Sequence, residues 1–142
     1  MTAREPADKT TRHRVLIVDD EESMRLLLAR ILTTVLKVEV TLAGTCEQAL
    51  RLADSYAYDA ILLDLLMPGI GGYEVLKEIR HASPNVATPV IIVSVLADKA
   101  TQDRCMKAGA TAYVVKPVER NSLVATIKAQ IAGRSKPKTT GK

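Results

Sequence analysis

The chain has 142 residues, enough for one domain, and 47% of them are hydrophobic with no Trp or Phe, so its core is aliphatic, built from Val, Leu, Ile and Ala. No apolar run approaches the roughly 18 residues that a membrane span needs, and no hydrophobic signal region opens the chain, so the cytoplasm is the expected compartment. The formal charge of +4 lies in the tails, with Arg4, Lys9, Arg12 and Arg14 near the start and Arg134, Lys136, Lys138 and Lys142 unopposed at the end, leaving the body slightly acidic.

Such a tail reads as a solvated end. Four cations without aromatic or helical partners give only weak, sequence-independent contact with phosphates, so no specific nucleic-acid binding is expected. Cys46 and Cys105 form no CxxC pair and have no nearby His, which argues against a zinc or redox site and for reduced thiols. His13 and His81 are isolated.

Residues 1–13 lack periodicity and are expected to be a flexible N-terminal tail. Arg14 to Asp19 is an apolar run ending in the acid pair Asp19-Asp20. Met24, Leu27, Leu28, Ile31, Leu32 and Val35 then recur at helical spacing, with Glu21 and Glu22 in the first turn where negative charge suits the macrodipole. Val38 to Ala43 reads as a strand. Thr45 to Gln48 matches a capping box and opens a helix with Ala49, Leu50 and Ala53 on one side.

Asp59 to Asp64 reads as a strand buried on both faces. It reaches Asp64 and turns through Met67-Pro68-Gly69 and Gly71-Gly72. Taken alone, Asp64 could equally be a solubilising acid before a loop. Val75, Leu76 and Ile79 give a short helix that fails before Pro84. Pro89 to Ser94 is another buried strand, with Pro tolerated at its first position.

Asp98 can cap the next helix and Gly109 end it. Ala100, Cys105, Met106 and Ala108 are its only apolar anchors, so it should be loosely held. Ala112 to Lys116 is the last strand, followed by Pro117. Leu123, Val124, Ile127 and Ile131 form the stripe of a closing helix. Residues 133–142 are expected to be a basic, flexible C-terminal tail, which leaves 14–132 as the domain.

This β-α alternation, repeated five times, predicts an α/β fold with a parallel sheet and helices on both faces. Periodicity does not give the strand order. A parallel sheet gathers its carboxyl ends on one edge, which brings Asp19, Asp20, Asp64, Ser94 and Lys116 together. Clustered carboxylates repel unless a cation joins them, and a small hard cation such as Mg²⁺ binds through one or two carboxylates plus water and phosphate. One carboxylate could then attack a phosphoryl group, with Lys116 and the Ser94 hydroxyl binding its other oxygens.

Val18-Asp19-Asp20-Glu21, Tyr58 to Pro68, Val93-Ser94 and Val114-Val115-Lys116-Pro117 resemble the response regulator receiver domain of two-component signalling. The match covers about residues 14–132. The resemblance implies a flavodoxin-like (βα)5 fold of strand order 2-1-3-4-5. It also implies transfer of a phosphoryl group from a histidine kinase or phosphotransfer protein to Asp64, with Mg²⁺ (or Mn²⁺) as cofactor. On that resemblance Asp19, Asp20, Asp64 and the backbone carbonyl of Leu66 hold the metal, and Lys116 pairs with the phosphoryl group. The bond to Pro117 is expected to be cis.

Ser94 and Tyr113 resemble the switch pair, and the fourth helix, fifth strand and fifth helix form the usual output face toward a downstream protein target. The protein would be a signalling switch that catalyses only its own phosphorylation and dephosphorylation, monomeric or dimerising when phosphorylated. A stand-alone chemotaxis or phosphorelay type is favoured over a receiver cut from a longer regulator. Two rivals are a phosphate-independent scaffold and an Asp-nucleophile phosphohydrolase. The complete acid set disfavours the scaffold, and Leu66 in place of the second acid of a DxD pattern disfavours the hydrolase. Gly71, Ile70 and Val95 depart from the family's usual Asp, Met and Ala, and Val95 is expected to alter phosphorylation kinetics.

Overall fold

The computed structural model describes residues 12–81 and 83–135. Elements alternate along them as β1 (His13–Val18), α1 (Glu22–Val35), β2 (Val38–Ala43), α2 (Cys46–Ser55), β3 (Ala60–Leu63), α3 (Gly71–His81), β4 (Val90–Ser94), α4 (Lys99–Lys107), β5 (Ala112–Val115) and α5 (Arg120–Ser135). The strands form one parallel sheet in the order β2-β1-β3-β4-β5, the flavodoxin-like order that the resemblance implied.

The central strands read as unbroken apolar runs because helices cover both faces of the sheet. Side chains alternate between two layers along each strand. Leu16, Val18, Ile61, Leu63, Val90 and Ile92 pack with α2, α3 and Cys105 of α4. Val15, Ile17, Ala60, Leu62, Ile91 and Val93 pack with α1 and α5. Each fully buried aliphatic side chain contributes roughly 1.5–3 kcal/mol by leaving water.

The helix ends follow local chemistry. Thr45 Oγ1 accepts from the Gln48 N–H at 3.0 Å, while Gln48 Oε1 accepts from the Gly44 N–H at 2.9 Å. The second arm of the expected capping box therefore reaches one residue further back than Thr45. Asp98 caps α4 by accepting from the Thr101 N–H at 3.0 Å and the Thr101 hydroxyl at 2.8 Å. At the other end Gly109 takes φ +116°, and the N–H groups of Gly109 and Ala110 close on the carbonyls of Met106 and Cys105, a Schellman ending.

Several expectations need correction. Leu27 and Val35 face solvent, leaving Leu28, Ile31 and Leu32 as the buried stripe of α1. Ala100 and Met106 are exposed and do not anchor α4, whose one buried residue is Cys105. β1 begins at His13 and α5 continues through Gly133 to Ser135, just beyond the limits of 14 and 132. A helical Gly costs about 1 kcal/mol relative to Ala, which discourages a helix without stopping it. Residues 1–11 and 136–142 of the expected tails lie outside the described residues.

Candidate functional site

The site is built from strand ends. Val18 and Leu63 are register partners, so the acids that follow them leave the sheet side by side. The Asp64 N–H donates to the Val18 carbonyl at 3.0 Å and the Asp19 N–H to the Ala43 carbonyl at 3.1 Å. Asp19 and Asp64 are buried and Asp20 is exposed. One carboxylate oxygen from each of the three lies within 4.8 Å of the others.

β5 supplies the counter-charge. The Lys116 N–H extends the ladder by donating to the Ser94 carbonyl at 2.8 Å, and the peptide from Lys116 to Pro117 is cis. Lys116 Nζ then reaches Asp19 Oδ2 at 3.0 Å and Asp64 Oδ2 at 3.3 Å. Burial alone would pull this ammonium down. The hydrogen bond to Asp19 and the charges of Asp64 and Asp19 outweigh that, and its pKa stands above the ordinary lysine value.

Asp64 is held the other way. Burial pushes its carboxyl above the usual range, Asp19 adds to the push, and Lys116 and the Leu66 N–H oppose it. That N–H meets Asp64 Oδ1 at 3.3 Å. Like charges 4 Å apart repel by roughly 4 kcal/mol at an effective dielectric of 20. Three ionised carboxylates against one ammonium leave two negative charges over. The donor set is all oxygen and suits a hard divalent cation.

Two further features shape the mouth of the site. Gly72, in the first turn of α3, sits against the main chain that follows β3, where an added Cβ would collide with the Asp64 carbonyl oxygen. Beyond β4, the fully buried Ser94 accepts the Leu96 N–H on its Oγ at 3.2 Å, and the Leu96 carbonyl accepts the Tyr113 hydroxyl at 2.6 Å. Ser94 and Tyr113 are thus joined through one intervening residue. Burial raises the Tyr113 phenol above its ordinary pKa, and the Ser94 hydroxyl tempers the rise. Val95, which follows Ser94, is 57% exposed.

The structure therefore gathers Asp19, Asp20, Asp64, Ser94 and Lys116 at one edge, with Tyr113 linked to them and the Leu66 N–H on Asp64. Sequence reasoning missed Leu96 as the link and Arg25, whose Nη1 donates to the Asp19 carbonyl at 2.7 Å. Neither has a motif to betray it, since one acts through its backbone and the other from an ordinary helix face. Cys46 and Cys105 are free and buried. His13 lies beside Asp59, 3.5 Å away, at the opposite end of β1.

The sequence model of the response regulator receiver domain matches residues 15–128. The chain belongs to this family. A probable transcriptional regulator of Guillardia theta is 38% identical over 129 residues, which is 91% of this chain and 49% of that protein. The response regulator GacA of Pseudomonas aeruginosa is 32% identical over 85% of this chain and 56% of its own length. The chain spans about half the length of the curated relatives it matches.

Among solved structures, the receiver domain of a sensor histidine kinase of Pseudomonas aeruginosa superposes with a TM-score of 0.78 at 29% identity, covering 86% of this chain and 99% of that one. That receiver holds a magnesium ion in its active site cleft. A receiver domain protein of Methanospirillum hungatei gives a TM-score of 0.81 at 27% identity, over 87% of this chain and 97% of its own. The receiver described here is thus a two-component signalling domain, and among its described residues no helix is long and apolar enough to cross a membrane.

Proposed function

We propose that this receiver accepts a phosphoryl group on Asp64 from a phosphohistidine of a kinase or phosphotransfer protein, in a Mg²⁺-dependent reaction in the cytoplasm. The observation that carries the reading is the convergence of Asp19, Asp20 and Asp64 within 4.8 Å, with Lys116 bonded to two of them.

Asp19, Asp20, Asp64 and the Leu66 carbonyl would hold the Mg²⁺, which offsets charge on the incoming phosphoryl oxygens. An Asp64 oxygen attacks phosphorus while the bond from phosphorus to the donor nitrogen breaks. The imidazole leaves with the bonding pair and takes up a proton. Lys116 swings its ammonium from the carboxylates to a phosphoryl oxygen. Ser94 turns its hydroxyl to another and gives up the Leu96 N–H. Tyr113 then loses the geometry of its bond to the Leu96 carbonyl, which biases the α4-β5-α5 face toward a downstream protein target. The acyl phosphate is later hydrolysed by water in the same site.

This chemistry serves a stand-alone switch and the receiver of a longer regulator alike. Incubation with acetyl phosphate and Mg²⁺ should add one phosphoryl mass to the intact protein. The Asp64→Asn protein should gain none; a phosphoryl mass on that variant would overturn the assignment.

A further inference from the structure

We propose that Arg25 is a positioning residue for the metal-binding acids, holding the peptide between Asp19 and Asp20 so that Asp20 is aimed at Asp64. The proposal rests on the receiver reading above. Arg25 lies on α1, and its Nη1 meets the Asp19 carbonyl at 2.7 Å, shorter than either contact of Lys116 with the acids. Such a charge-assisted bond is about twice as strong as a neutral one.

The Asp19 carbonyl and the Asp20 N–H belong to one planar unit, so fixing the oxygen fixes the direction in which the Asp20 Cα leaves it. One residue on, the Glu21 N–H donates to Asp19 Oδ1 at 2.9 Å. Asp19 itself is secured by burial and by Lys116. Asp20 is exposed, and its carboxylate makes no hydrogen bond among the described residues, so its aim depends on the backbone that carries it.

Gly44 is the second half of the device. A Cβ at Gly44 would lie 2.8 Å from Arg25 Nη1 and 3.1 Å from its Cζ. Gly44 is not among the glycines with positive φ, so its backbone does not demand glycine. What it supplies is space for the guanidinium at the end of β2, where β1 and α1 meet. Because the obstructed atoms are the far end of a long side chain, an added methyl would displace Arg25 with little cost to the fold.

The test uses the full chain, with Mg²⁺ titrated in the absence of a phosphodonor and exchange of the Glu21 amide followed in the metal-free protein. Arg25→Met should weaken Mg²⁺ binding about tenfold, the lower end of what losing an outer partner of a metal ligand costs, and should speed exchange at Glu21. Gly44→Ala should shift both readouts the same way, and the double variant should be no weaker than Arg25→Met alone. Arg25→Lys, which keeps one donor, should recover part of the loss. Unaltered Mg²⁺ affinity in Arg25→Met, or fully additive effects in the double variant, would overturn the proposal alone. An unsubstituted chain that binds no Mg²⁺ would overturn the receiver reading together with it.

Discussion

At the residue scale, Asp64 balances its burial against Lys116. Its native carboxyl titrates above the usual value, so ionising it costs the folded state more than the unfolded one. That cost is absent at a pH below the unfolded value of about 3.9 and grows as pH rises through the native value. Asp64→Asn should therefore raise the melting temperature of the metal-free protein at pH 7, with the gain closing toward roughly pH 4; melts in chelator across that range check it. Gly72→Ala should act oppositely, because the methyl meets main chain that cannot step aside. A loss of about 1–3 kcal/mol, the usual cost of overpacking, should appear in the denaturant midpoint, together with slower phosphoryl uptake. Val95 is exposed at the mouth, so Val95→Ala should leave stability nearly unchanged. Phosphorylation and hydrolysis should quicken together at constant Mg²⁺ affinity, a tenfold gain corresponding to about 1.4 kcal/mol of barrier. Timing each reaction separately reads the effect, and unchanged rates would remove Val95 from the access path.

At the scale of elements, α4 is the least anchored helix. Only Cys105 is buried, and the exposed pair of Lys99 and Asp103 contributes little. Its first turn hangs on Asp98, whose carboxyl is held below the ordinary value by the Thr101 hydroxyl and N–H. That contribution is present above the unfolded carboxyl value and is lost as pH falls through the depressed native one. Amide exchange in the first turn of α4 should accelerate over that acid window, and Asp98→Ala should show the fast rate at every pH. A phosphate mimic should also change exchange across residues 97–108. The capping residues Thr45, Asp98 and Gly109 were legible in the sequence because capping is a local transaction between neighbours. The acids and Lys116 were legible because a parallel sheet turns separate strand ends into one edge. Met106 and Leu27 were misread because periodicity gives a face without saying whether another element covers it. Arg25 was invisible because its partner is a backbone carbonyl, and Leu96 because it acts through its own backbone, which no residue type announces.

At the scale of the whole molecule, the fold and a divalent cation should be thermodynamically linked. A ligand that binds only the native state stabilises it by about 2.7 kcal/mol at a hundredfold excess over its dissociation constant. Millimolar Mg²⁺ should raise the melting temperature, with the rise reduced in Asp20→Ala; equal rises would place the cation elsewhere. The pairing of Val18 with Leu63 has a consequence of another kind. Exchanging one aliphatic residue for another along β1 or β3 alters packing and leaves Asp19 and Asp64 abreast. Adding or deleting a single residue before either acid reverses the side to which it points. The working part of this molecule is thus written in distances counted along two strands, and composition is free to drift around it. A chain that shares only 27% of its residues yet superposes with a TM-score of 0.81 shows how far the wording can change while the fold is kept.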